Sequence, residues 1–314
     1  MENLSMDVLI PVYHPDNKFE RLLKALAFQN LPVNKVIIAN TEETWWTKHQ
    51  MDKKLPKDLT IEVFHVKKEE FDHGATRNRL ANRSKADLLL FMTQDAVPLT
   101  SNLTRYLREG FEQEGTAVVY ARQVPAEGCR LIEQFTRNFN YPRKSRSKSK
   151  EDLPELGIKT YFCSNVCAAY RRTVFEKLGG FVNRTIFNED MIFAAKAIQA
   201  GYRIYYQASA QVFHSHNYSG MAYLRRNFDL GVSQADFPEV FAKLPAEKEG
   251  AKLVGQTAKF LLKNRKPWLL PSLVWLSTCK YVGYRLGKGY QRLPRCLVRR
   301  LSMSPNYWKS GKKK

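Results

Sequence analysis

Over the first 125 residues, short apolar runs alternate with segments of helical period. MDVLIPVY (6–13), KVIIAN (35–40), LTIEVFHV (59–66), ADLLLFMT (86–93) and AVVYARQV (117–124) are nearly continuous apolar stretches rich in β-branched residues. Such runs read as strands buried on both faces. FERLLKALAFQ (19–29), HGATRNRLANRSK (73–85) and TSNLTRYLREGFEQEG (100–115) read as helices between them. Strand–helix alternation predicts a mainly parallel sheet with helices on both faces. Ligands of such sheets bind beyond the carboxyl ends of the strands. His14–Pro15, Asn40–Glu43, Glu69–His73 and Thr93–Asp95 occupy those ends, and most of these positions are polar.

Further along, Cys129–Phe139 has a helical pattern, and RKSRSKSK (143–150) reads as a mobile basic loop extending to about residue 152. YFCSNVCAAYRR (161–172) precedes a short helix through Val174–Leu178 and a Gly179–Gly180 turn. NEDMIFAAKAIQAG (188–201) reads as a helix stopped by Gly201. RIYYQASAQVFHSH (203–216) is strand-like and ends on two histidines. No internal repeat, Walker loop or G-x-G-x-x-G loop occurs. The pattern divides the chain into a domain over 1–235 and a basic, amphipathic helical region over 236–314.

Composition changes this picture once the charge is located. The chain of 314 residues has a formal net charge of +21. Residues 241–314 carry 18 Lys/Arg and 2 Glu, and 143–150 add five more cations, which leaves the rest neutral at 28 basic and 28 acidic residues. The excess charge is therefore an attachment device for a phosphate-rich surface. A nucleic-acid-binding module would account for that charge but not for carboxylates at the strand ends of a neutral domain. No basic leader precedes the first apolar run. The longest uncharged apolar stretch, about Pro267–Cys279, is too short for the roughly 20 residues of a spanning helix. Five cysteines without a second Cys/His pair read as buried thiols.

Four clusters carry candidate chemistry. Asp95, in Thr93-Gln94-Asp95 at a strand end, is placed to hold Mg²⁺ or Mn²⁺ against a diphosphate, or simply to cap the following turn. Asn188-Glu189-Asp190 opens a helix, where acidic residues also serve the dipole. His214 and His216, two apart on a strand, point the same way, and imidazole suits Mn²⁺. In FDHGATRN (71–78), Gly74 permits close backbone approach and Arg77 offers a fork for phosphate or base.

With VLIPVYHP, FMTQDAVP, SNVCAAYRR, EKLGGF, NEDMIFAAKAIQAGY and FHSHNYS, these clusters stand in an order that resembles the inverting nucleotide-sugar glycosyltransferases of the GT-A fold. Within that family the sequence is similar to the rhamnosyltransferase branch of bacterial cell-surface polysaccharide synthesis, over roughly residues 6–230 and again in the tail. The resemblance implies a nucleotide-sugar pocket built from Pro11, Tyr13, Thr41, Glu42, Asp72, Gly74, Arg77, Gln94 and Asn165. It implies Asp190 as catalytic base with Glu189 as its neighbour and backup, and a metal held by Asp95 with His214 or His216. It further implies a dTDP-sugar donor, dTDP-β-L-rhamnose, and a lipid-linked acceptor at the anionic inner face of the cell membrane. Two positions depart from the family pattern. Thr93 replaces the first Asp of the Asp-x-Asp motif, and Asn40-Thr41-Glu42 replaces an acidic turn.

Overall fold

The five apolar runs of the amino-terminal half become strands β1 (Met6–Tyr13), β2 (Lys35–Thr41), β3 (Ile61–Val66), β4 (Leu88–Met92) and, after a two-residue β5 (Val97–Pro98), β6 (Thr116–Val124). They are joined in one sheet by β7 (Arg146–Lys148), β8 (Cys167–Arg171) and β9 (Arg203–Phe213). This computed structural model describes residues 4–244 and 247–308. The strand order is β3-β2-β1-β4-β8-β6-β9-β5, with β7 also on β9. β1 pairs in parallel with β2 and β4, β2 with β3, and β6 with β9. β8 is the reversed strand between β4 and β6. The sheet is mainly parallel, as the alternation predicts.

All sheet strands belong to a first unit, made of the chain up to Ala126 with Tyr141–Arg184 and Glu189–Ser215. Both of its faces are covered. On one, Val8, Ile10, Leu88, Leu90 and Met92 pack with Phe19, Leu22 and Leu26 of the helix Asn17–Ala27. Asp16 caps that helix by accepting from the amides of Lys18 and Phe19. On the other, Phe91 meets Tyr170, Phe175 and Phe181 at ring separations of 5.0–5.9 Å. Burial on both faces is why these strands lack polar alternation.

The expectation of a mobile loop at 143–152 is corrected. Arg146–Lys148 is strand β7, paired antiparallel with β9, and Ser149 and Asp152 form a capping box on the 3₁₀ turn that follows. Two of its cations are occupied. Arg146 pairs with Asp152 at 3.2 Å and Glu155 at 3.1 Å. Lys148 is buried, and its ammonium donates to the carbonyl oxygens of Phe162 and Lys159. Charge density signals solvation only where the cations find no partners.

The second unit comprises Glu127–Asn140, Thr185–Asn188 and the chain from His216 onward. Its boundary therefore falls at 215/216, not at 235/236. The helix Gly220–Asp236 joins the tail because glycines seat it on the helix Leu270–Lys288. A Cβ at Gly283 would lie 2.1 Å from the Leu224 carbonyl oxygen, one at Gly287 2.1 Å from that of Phe228, and one at Gly231 2.3 Å from that of Tyr284. Phe228 and Val232 pack with Val298, and Leu261 and Leu273 with Ile132 of the helix Leu131–Asn140. Gly287→Ala forces these backbones apart. Overpacking of this kind costs about 1–3 kcal/mol, more than the ~1 kcal/mol of helix propensity that alanine returns. The variant is therefore expected to melt at lower denaturant than wild type in a urea titration.

Candidate active site

Two carboxylates at the head of the helix Glu189–Gln199 are separated by their partners. Glu189 Oε1 accepts from Arg77 Nη1 at 3.1 Å and from Asn165 Nδ2 at 3.1 Å. Asp190 has no such cation. Its Oδ2 accepts from the Asn165 amide at 3.0 Å and its Oδ1 from the Met191 amide at 2.8 Å. The Tyr170 hydroxyl, fully buried and held protonated by that burial, donates to Asn165 Oδ1 at 2.7 Å and fixes its orientation. Burial opposes charge on both carboxyls, but the Arg77 guanidinium outweighs it at Glu189 and holds that group below its ordinary value. Burial, and then the neighbouring Glu189 charge, push Asp190 up to about 7. Adjacent acids with divided affinities give one fixed anion and one proton acceptor poised near neutrality.

The second cluster is made by sheet pairing. β5 lies antiparallel to β9 with Val97 opposite Phe213, which brings Asp95 and His214 together just outside the paired residues. Asp95 Oδ2 lies 3.6 Å from His214 Nε2. A register break at Ala121/Arg122 carries β9 forward by three extra residues, so that it reaches this point. His214 Nδ1 lies 2.9 Å from Gln123 Oε1. The Gln123 amide nitrogen is already donating to Tyr141 and Ser164, so Nδ1–H donates and Nε2 is left as the electron-pair donor. The Asp95 carboxylate oxygen and the His214 imidazole nitrogen are donors that fit a divalent cation such as Mn²⁺. His216 follows two residues later, at the start of the second unit, with its ring stacked on Tyr218 at 4.9 Å.

One tripeptide joins the two clusters. Ser164 Oγ accepts from Gln123, which orients His214. Asn165 holds both acids. The Val166 carbonyl accepts from the Thr93 amide at 3.1 Å, two residues before Asp95. The sequence points to Asn165 alone in this hub. Gln123 and Tyr170 lie inside strands and carry no local signal.

Several expected ligand-binding residues have structural partners. A Cβ at Gly74 would lie 1.8 Å from the Val182 carbonyl oxygen, so its close approach is to the chain's own backbone. Asp72 caps the helix His73–Ala81 by accepting from the Ala75 amide at 2.8 Å. Arg77 is buried against Glu189 instead of presenting its fork outward. Gln94 accepts from the Tyr13 amide at 2.7 Å and so ties the end of β4 to that of β1.

Pro11 lies within β1 opposite Ala39. Tyr13, Thr41 and Glu42 do stand at neighbouring strand ends, Tyr13 opposite Thr41. Lys68 donates to the Tyr13 hydroxyl at 2.7 Å and lies 3.6 Å from Glu42. His14 and Glu42 have φ of 52° and 62°, a conformation uncommon in residues with side chains and concentrated at functional sites. The His14 ring lies against Trp45, tilted by 33° with centroids 3.7 Å apart. Trp45 and Lys68 are the residues of this end that the sequence reading missed, although both follow strand termini. Glu42, His65 and Lys68 also line an open cleft of about 370 Å³.

Residues 7–179 match the sequence pattern described as Glycosyl transferase family 2. The chain belongs to this family. Two Salmonella proteins resemble it along nearly their whole length. The O-antigen chain rhamnosyltransferase RfbN of Salmonella typhimurium is 39% identical over 310 residues, covering 97% of this chain and 96% of that one. The O-antigen chain rhamnosyltransferase WbaN of Salmonella anatum is 38% identical over 307 residues with the same coverage. Two solved structures share the fold at low identity. The mannosyltransferase PcManGT of Pyrobaculum calidifontis, in complex with GDP-Man and Mn²⁺, has a TM-score of 0.58 at 15% identity over 98% of this chain and 85% of that one. S. aureus TarS 1–349, in complex with UDP-GlcNAc, has a TM-score of 0.52 at 16% identity over 92% of each. The chain is thus a glycosyltransferase with a GT-A fold, and its Asp95–His214 pair is a candidate metal centre.

Proposed function

We propose that this glycosyltransferase moves L-rhamnose from dTDP-β-L-rhamnose to a lipid-linked glycan during O-antigen assembly, with inversion to an α-linkage. The observation that carries the chemistry is the divided acid pair. Asp190 is half-ionised near neutrality, while Glu189 is held as an anion by Arg77. Asp190 takes the proton of the attacking acceptor hydroxyl in a single displacement at the anomeric carbon. Asn165 holds that carboxylate in place from its own backbone.

Asp95 and His214 would hold Mn²⁺ or Mg²⁺, with His216 next along the chain as a third ligand. Such an ion supplies neutralisation of the departing diphosphate. Gln123 keeps His214 in the tautomer that offers Nε2. Tyr13, Thr41 and Glu42 line the nucleotide end of the crevice, with Trp45 and Lys68 beside them. The choice of rhamnose rests on the two O-antigen rhamnosyltransferases that match end to end. A lipid-linked acceptor places the enzyme on the cytoplasmic face of the membrane, which fits the +16 excess over residues 241–314.

The test is a panel of donors with the purified full-length chain, Mn²⁺ and a rhamnose-accepting glycan lipid. Consumption of dTDP-β-L-rhamnose with release of dTDP is expected. UDP-GlcNAc and GDP-mannose should turn over at no more than a hundredth of that rate. Preferential turnover of either of those would overturn the donor assignment.

A further inference from the structure

The helix Leu270–Lys288 is apolar on two sides, and only one of them is covered. Leu273, Cys279, Gly283, Tyr284 and Gly287 face the interior of the second unit. Val274, Trp275, Thr278, Tyr281 and Val282 recur at helical spacing along the opposite side and are exposed. Trp268, one turn ahead of the stripe, is 64% exposed, Val274 62%, Trp275 60% and Tyr281 55%. Among the described residues, six of the eleven exposed large apolar side chains fall between Leu262 and Val282. A helix apolar all round is ordinarily buried, and a continuous exposed patch marks a contact surface.

We infer that this stripe is a rigid docking face for an anionic phospholipid surface, with the helix lying flat along it. Charge selects the occupant. No Asp or Glu follows Glu249, whereas sixteen Lys/Arg do. All residues from Leu262 to Trp268 are exposed, and they include Lys263, Arg265 and Lys266 at one end of the stripe. Arg285, also exposed, stands at the other end. Tryptophan and tyrosine between flanking cations suit the boundary of hydrocarbon and phosphate, where apolar rings enter and cations stay at the headgroups. A 19-residue helix spans about 28 Å. Among the described residues no helix is long and apolar enough to cross a membrane, so the face lies on the surface.

This differs from a loose amphipathic tail, because the same helix carries the glycine seam on its inner side and docks as part of a folded unit. The inference deepens the reading of a lipid-linked acceptor by assigning the surface that meets the lipid. It rests on that reading only for the purpose of the contact.

The test uses the full-length chain and vesicles of phosphatidylglycerol with phosphatidylcholine, compared with phosphatidylcholine alone. The variants are Trp268→Ser/Val274→Ser/Tyr281→Ser, and Lys263→Gln/Arg265→Asn/Lys266→Gln. Each substituted side chain is exposed, and unchanged melting curves will establish that both variants fold. Wild type should sediment with the anionic vesicles, only weakly with neutral ones, and be released by high salt. The cation triple should bind about a hundredfold more weakly, since each cation near an anionic surface contributes roughly a fivefold gain. The apolar triple should lose at least tenfold at low salt. Transfer to a water-soluble acceptor should persist in both, so a failure of vesicle binding is distinguishable from a failure of the chemistry. Wild-type vesicle binding by the apolar triple would overturn the inference in favour of diffuse adsorption by the basic tail. So would equal binding to neutral and anionic vesicles, tighter binding to single-stranded DNA, or a self-association that the apolar triple abolishes.

Discussion

Asp190→Asn is expected to reduce transfer by about 10²–10⁴-fold, the usual cost of removing a general base, while nucleotide-sugar affinity stays near wild type. In the proposed role Asp190 acts on the acceptor hydroxyl, so donor binding should not depend on it. Glu189→Gln should behave differently. It strands the buried Arg77 guanidinium, and breaking a buried pair costs about 3–5 kcal/mol. Its signature is a lowered melting midpoint, with activity lost through disorder of Arg77 and Asn165. Steady-state kinetics beside urea melts of both variants separate the roles. Near-wild-type turnover by Asp190→Asn, with loss confined to Glu189→Gln, would move the base by one residue.

The same assignment fixes a pH dependence. Asp190 is raised to about 7, so its basic form is depleted below that point. The value of kcat/KM should fall about tenfold per pH unit on the acid side, and that limb should vanish in Asp190→Asn.

Metal removal is the second large effect. EDTA should abolish transfer, and Mn²⁺ or Mg²⁺ should restore it. Asp95→Ala should weaken apparent metal and donor affinity together, because both meet at the diphosphate. Gln123→Leu leaves Asp95 and His214 intact but frees the imidazole to change tautomer and rotate. Disturbing such an orienting partner costs about 10–100-fold in metal affinity, and Mn²⁺ titration followed by electron paramagnetic resonance reads this directly. Full activity in a metal-free assay would remove the proposed roles of Asp95 and His214.

Strands β1 to β4, β6 and β9 were legible from their apolar runs, and strand-end polarity located His14, Glu42 and Asp95, whereas β7 reads in sequence as a loop. Long-range pairing was not legible. Nothing local in YFCSNVCAAYRR announces that Cys167–Arg171 runs against its neighbours, or that Val97 will lie opposite Phe213 and deliver Asp95 to His214. Family resemblance named Asn165 and the acid pair, with Asp190 as base and Glu189 as its neighbour, but not the electrostatics that separate the two. That separation depends on Arg77, which lies 112 positions before Glu189 and reads in sequence as a fork for phosphate or base. Gly74 illustrates the same limit. A glycine in the first turn of a helix signals close approach without saying to what, and here the answer is the Val182 carbonyl. The tail misled in another way. Its charge was visible, but its fold depends on Gly220, Gly231, Gly283 and Gly287, each of which only acquires meaning opposite another helix.

The central claim is a single inverting displacement with Asp190 as base, and the anomeric configuration of the product tests it most directly. Wild-type enzyme supplied with dTDP-β-L-rhamnose and acceptor should yield an α-linked rhamnoside, read from the one-bond carbon–hydrogen coupling at the anomeric centre. A β-linked product would mean retention, which a lone general base cannot deliver in one displacement, and would contradict the account.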